Sequence, residues 1–126
     1  MSRVGLYLVA AAGIAGAAGV ALAAVAAHRV ASPALATAAT MLMLHAVAVL
    51  AVASLSAVSE NPNRWRSAGA MMLAAVALFS GDVALNTLQG IHIFPMAAPL
   101  GGSLLIASWL AVAMCAAIEA RRETLN

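Results

Sequence analysis

Charge is scarce in this chain of 126 residues, at 8% Asp, Glu, Lys and Arg, where an ordinary soluble domain carries roughly 25%. Aromatic residues make up 4%, and there is a single cysteine, Cys115. Each shortage excludes something. With 65% hydrophobic residues and so few charges, a chain this short cannot hide its apolar surface in one water-soluble core. Six arginines supply all the basic charge and form no stripe interleaved with aromatics, so nucleic acid is excluded as a partner. Cys115 has no second thiol to pair with. It reads as a small buried apolar side chain and says nothing about redox compartment. No HxxxH, CxxC or HExxH spacing occurs, so neither a metal centre nor any other cofactor is expected.

What the chain does contain is four long apolar runs, at about 4–27, 35–58, 65–88 and 98–118. Each approaches the ~20 residues that a helix needs to cross ~30 Å of hydrocarbon. Three short connections and two short tails take up the remainder. The expectation is therefore an all-α fold: one domain over residues 1–126, an integral membrane four-helix bundle with up-down-up-down topology in a lipid bilayer. The first run has Arg3 ahead of it and Ala21-Leu22-Ala23 within it, the outline of a secretory signal. It exceeds the ~7–15 apolar residues of a signal core, and so reads as a retained first span. Four spans place Arg3, Arg64, Arg66, Arg121 and Arg122 on one side and only Arg29 on the other. Arginine-rich short loops stay cytoplasmic, which predicts both termini inside, with Tyr7 and Trp65 as anchors at the inner interface.

Turn residues mark each connection. His28-Arg29 and Ser32-Pro33 form the first outer loop, Asn61-Pro62-Asn63 the inner turn, and the stretch from Gly90 to Pro95 the second outer loop. Pro99 suits the first turn of the last helix, where its missing N–H is no loss. Small residues crowd the first run. Ala15, Gly19, Ala23 and Ala27 recur every four positions, and Gly13, Gly16 and Gly19 every three. In lipid, helices associate by close approach, so this pattern predicts a packing face, against another helix of the chain or a second copy.

Asp82 is the sharpest chemical signal, because a carboxylate inside a span is expensive unless paired, hydrated or protonated. Asp82, Asn86 and Gln89 share one helical face that opens toward the outer surface. Three readings follow: hydrogen bonding between helices, a site for a ligand, proton or ion, and an acid reaching to outer water. His45, near the middle of the second run, reads as a neutral hydrogen-bonded residue or a proton carrier. His28, His92 and Asp82 share the outer side, but their spacing is not that of a metal site. His28 and His45 lie ~15 Å apart in depth, which does not clamp a haem iron. Ser103 and Ser108, like Ser54 and Ser56, have no base beside them in sequence, and hydroxyls in spans bond back to their own helices.

Several motifs, in order along the chain, resemble the YgdD/YwdK-like family of small four-span membrane proteins. Gly16-Ala17-Ala18-Gly19-Val20-Ala21-Leu22, ending in Ala26-Ala27-His28, resembles its first span. His45-Ala46-Val47-Ala48-Val49-Leu50 resembles its His-Ala-Leu-Ala-Leu-Leu pattern, and Leu78-Phe79-Ser80-Gly81 its Leu-Phe-Ser-Gly-Ser motif. Pro99-Leu100-Gly101-Gly102, followed by Trp109, resembles its Thr-Pro-Ile-Gly-Gly and tryptophan signature. The matching positions are His28, His45, Ser80, Gly81, Pro99, Gly101 and Gly102. The resemblance implies an inner-membrane four-helix protein of a family whose function is not characterised. Asp82 stands where that family has serine, and Ala98 where it has threonine, so a role for Asp82 belongs to this chain alone.

The leading expectation is a structural or accessory membrane protein that packs with itself or a larger complex, and not an enzyme. The alternative is an oligomeric carrier or channel for a small solute, proton or ion, lined by the Asp82/Asn86/Gln89 face. An enzyme or redox protein would rest on scattered histidines alone. Ligand or ion candidates are Asp82, Asn86, Gln89, His45 and Ser103. Asp82 is expected to point toward the start of the last helix, Ser103 or His45, or else to line a water-filled pocket with Asn86. Ala98 lacks the side-chain oxygen with which threonine would cap that helix.

Overall fold

The computed structural model describes residues 1–124, of which nearly all lie in four helices: α1 Arg3–His28, α2 Pro33–Val58, α3 Pro62–Gln89 and α4 Ala97–Glu123. Among the described residues there is no strand. Each helix has 26 to 28 residues. At ~1.5 Å per residue this is roughly 40 Å, longer than the ~30 Å of a hydrocarbon core. All four are apolar enough to cross a membrane. Large apolar side chains such as Ile14, Val47, Ile106, Leu110 and Met114 stand on the outside, which only lipid tolerates over so much surface.

Local chemistry sets the helix ends. Ser2 and Ser32 cap α1 and α2, their hydroxyls accepting from Gly5 N–H at 3.1 Å and Leu35 N–H at 3.3 Å. Pro33 and Pro62 open α2 and α3 from inside the first turn. The helices therefore begin two or three residues before the expected spans at 35 and 65. Gly90 ends α3 in the left-handed region at φ 69°, where a residue without Cβ sits at no steric penalty. Past the expected end at 118, α4 continues to Glu123, because charged residues beyond the hydrocarbon still propagate a helix.

Each helix packs antiparallel on the next in sequence, and α1 also reaches α3. No extended packing joins α1 to α4. The ring is thus open, with α2 and α3 at its centre and α1 and α4 on its flanks. Leu42, Val49, Ala53, Met72, Ala75 and Val76 from the central pair, with Leu8, Ala12 and Leu105, form the core. Gly19 explains how tightly α1 sits on α2. A Cβ there would lie 2.6 Å from Met43 Cγ and 3.1 Å from its backbone nitrogen. The partner of the small-residue face at this point is therefore α2 of the same chain. Ala15 and Ala23 are half-buried and Gly16 would touch Ala46, but Gly13 is exposed with nothing near it. The face is narrower than the three-residue repeat predicts, since a helix turns ~100° per residue and drifts off a strict period of three.

Trp65 departs from its expected place at the lipid interface. Only 5% of it is exposed, and it lies inside the bundle, whereas Tyr7 does face outward.

Candidate functional site

Asp82 lies on α3 about two turns before Gly90, and it is 1% exposed. Three donors hold its carboxylate. Ile93 N–H donates to Oδ1 at 2.8 Å, while His92 Nδ1 at 2.9 Å and Ala98 N–H at 3.3 Å share Oδ2. On the other side of the His92 ring, Nε2 meets the Asn86 amide nitrogen at 2.6 Å. A neutral imidazole with its proton on Nδ1 satisfies both contacts, donating to Asp82 and accepting from Asn86. The chain Asn86–His92–Asp82 ties the 90–96 connection back onto α3.

The same carboxylate does the work of a missing cap. Met96, the residue at the N-cap of α4, has φ 68° and offers no side-chain acceptor. Ala98 is therefore the second residue of α4 and not its cap, so a threonine there would not occupy the cap position. Its N–H is one of the first four that a helix cannot satisfy internally. Asp82 satisfies it from α3, and its negative charge suits the positive end of the α4 dipole. Close approach makes this reachable. A Cβ on Gly101 would lie 2.7 Å from the Phe79 backbone nitrogen, so at this point α4 touches α3 backbone to backbone. Gly102 faces the Phe79 ring more loosely, and Gly81 faces Ile93.

The other candidate residues lie apart from this cluster. Ser103 is exposed and donates to Pro99 O of its own helix at 3.0 Å. Gln89 is exposed, and among the described residues it joins no side-chain hydrogen bond with Asp82 or Asn86. His45, buried on α2, donates from Nδ1 to Met41 O at 2.7 Å and accepts from Trp109 Nε1 at 3.2 Å. Its ring meets that of Trp109 edge-on with centroids 6.0 Å apart, so α2 and α4 are joined here through long side chains. His45 is thus a strut and lies away from Asp82. Ser80 crosses helices, donating to Ala38 O of α2 at 2.9 Å. Ser54, Ser56 and Ser108 bond back to carbonyls of their own helices. His28 is exposed at the end of α1, and Pro99 is exposed in the first turn of α4. Among the described residues no three His, Cys, Asp or Glu side chains gather as a metal site.

A second carboxylate cluster has no counterpart in the sequence reading. Glu119, half-buried on α4, accepts from the Ser59 hydroxyl on Oε1 and from Trp65 Nε1 on Oε2 at 2.8 Å. Ser59 Oγ also accepts Asn61 N–H at 3.0 Å, so the acid holds the connection between α2 and α3. The available signal was topological. Once the spans alternate in direction, residues 59, 65 and 119 fall at one depth on the arginine-bearing end.

Several mainly apolar cavities open sideways on the bundle, two of them on the flanks of α3. One, of about 430 Å³, lies between α1 and α3 beside Ile14, Ala18, Ala77 and Gly81. The other, of about 480 Å³, lies between α3 and α4 at the arginine end. Asp82 lines neither of them.

Four apolar helices, an open ring with exposed aliphatic flanks and carboxylates turned inward define a multi-pass membrane protein of the helical-bundle class. The chain belongs to the family described as "Protein of unknown function (DUF423)", which matches residues 8–102. That match takes in Asp82, its loop partners and the first turns of α4, and it ends before Glu119. No solved structure matches the chain.

Proposed function

We propose that the protein is a structural or accessory component of the inner (plasma) membrane, not an enzyme, with both termini cytoplasmic. It works by packing with copies of itself or with a larger membrane complex. The observation that carries this reading is the engagement of Asp82 within its own chain. Both carboxylate oxygens are taken by donors of the same chain, leaving no free acid facing a water-filled path. The polar face that a carrier would need is turned to holding the 90–96 connection, since Asn86 and Asp82 both bond to His92, and Gln89 lies exposed outside that cluster. Five arginines on the end with both termini, against Arg29 on the other, support the orientation. Motif resemblance to the YgdD/YwdK-like proteins supports the inner membrane.

Native mass spectrometry of the purified protein, with ion and proton flux measured in proteoliposomes, tests the reading. The expected result is more than one copy, or a co-purifying membrane partner, with no flux above empty vesicles. A monomer whose flux disappears in Asp82→Asn would overturn it in favour of the carrier. Orientation is read by labelling single cysteines from outside in a Cys115→Ser background. Ile91→Cys should react and Asn63→Cys should be protected.

A further inference from the structure

The α3–α4 cavity at the arginine end is graded from polar to apolar along its length. Asn63 and Arg64 stand at its mouth, in the first turn of α3. Ala68, Met71, Ala111 and Cys115 line it further in. From Arg64 to Met71 the groove follows α3 for about 10 Å, at ~1.5 Å per residue, within the ~15 Å of one leaflet's hydrocarbon. Its volume of about 480 Å³ falls in the ~300–1,000 Å³ range of ligand sites. The space exists because Ala68, Ala111 and Cys115 are small where the two helices part.

The mouth carries the positive charge of Arg64, which also shares a small neighbouring pocket with Glu60, Glu119 and Arg122. Among the described residues no carboxylate lies within ion-pair distance of Arg64. Arg66 donates from Nη1 to Asn63 Oδ1 at 3.2 Å, and its buried Nε has no partner. Of the acids at this end whose side chains are described, Glu119 is already engaged by Ser59 and Trp65, and Glu60 is exposed. An occupant that brings an anion to Arg64 at the interface and an apolar chain to the interior matches this lining. A second copy inserted in the same orientation would instead bring its own arginines to the same depth, and like charges would oppose each other.

We propose that this groove binds one anionic phospholipid, its phosphate held at Arg64 and one acyl chain lying between α3 and α4. Arginine matches phosphate through its planar fork of donors, and the apolar walls match the chain. Native mass spectrometry of the full-length protein with equal amounts of phosphatidylglycerol and phosphatidylcholine of identical chains tests this. One bound phosphatidylglycerol is expected, preferred about fivefold over phosphatidylcholine, as one basic contact to an anionic lipid implies. Arg64→Gln, at an exposed position in the first turn of α3, should bring the two lipids to parity. Arg121→Gln, outside the groove, should leave the preference intact. Ala111→Phe should remove retention of both lipids by filling the space, and Cys115→Met repeats that test at a second wall position. Equal retention of both lipids by the unaltered protein, or an undiminished preference in Arg64→Gln, would overturn the proposal. So would full lipid retention in both filled variants.

Discussion

At the far end of the bundle, Asp82 reaches forward 10 to 16 residues along the chain to hold the connection that follows its own helix. At the arginine end, Glu119 reaches back 54 and 60 residues to hold a connection between two other helices. Two of the donors to Asp82 are backbone N–H groups, which every non-proline residue supplies. The donors to Glu119 are side chains, a serine hydroxyl and an indole. Asp82 is almost wholly buried, whereas Glu119 is half-buried near the membrane surface. Stability at the far end is thus concentrated in one residue. At the arginine end Glu119 likewise takes both bonds, but from two side chains and in a half-buried place, so its loss is the less costly.

The largest effect should come from removing the more deeply buried acid. Asp82→Ala strands two N–H groups and the His92 ring, and breaking a buried charged network of this kind costs about 3–5 kcal/mol. Thermal or denaturant unfolding in detergent should show it, with Asp82→Asn recovering part of the loss. If Asp82→Ala unfolds no more easily than Glu119→Ala, the contrast between the two ends fails. Next comes Gly101→Ala, which forces a methyl against the Phe79 backbone and should cost about 1–3 kcal/mol as overpacking. Hydrogen exchange should then accelerate at Ile93 and Ala98, whose amides depend on α4 lying close to α3. Third, Glu119→Gln should cost about 1–2 kcal/mol through weaker bonds to Ser59 and Trp65. A change in Trp65 fluorescence, measured with Trp109→Phe present, would locate the effect. The smallest change belongs to Asn86→Ala, an exposed position whose loss should stay within about 0.5 kcal/mol. A loss as large as that at Asp82 would mean that the His92 orientation depends on Asn86.

The four helices were legible because apolar runs of this length have one stable solvent. Helices α2 and α3 themselves begin before those runs, because Pro33 and Pro62, read as loop markers, are first-turn residues. Asp82 was legible as an anomaly, a charge in an apolar run, and so was its direction toward the start of α4. Its nearest partners were not. Ile93 contributes a backbone group that has no side-chain signature, and His92 lies in an aperiodic loop. The expected partners Ser103 and His45 fail because helical spacing fixes a face on one helix but not the rotation of its neighbour. Glu119 and Trp65 were hidden for a different reason. An acid beside Arg121 and Arg122 reads as a solvated tail, and a tryptophan at the edge of a span reads as a lipid anchor.

The reach of the two carboxylates also sets how much of the chain each end needs to be complete. Ribosomes deliver the chain from its N-terminus, and a contact closes only after both of its residues have emerged. All three donors to Asp82 are present as soon as residue 98 is made. Ser59 and Trp65 lie near the middle of the chain, and their partner Glu119 comes only near the end of α4. The far end is therefore closed within one helix, the connection after it and the first turn of α4, whereas the arginine end is complete only once the last helix returns to it with Glu119.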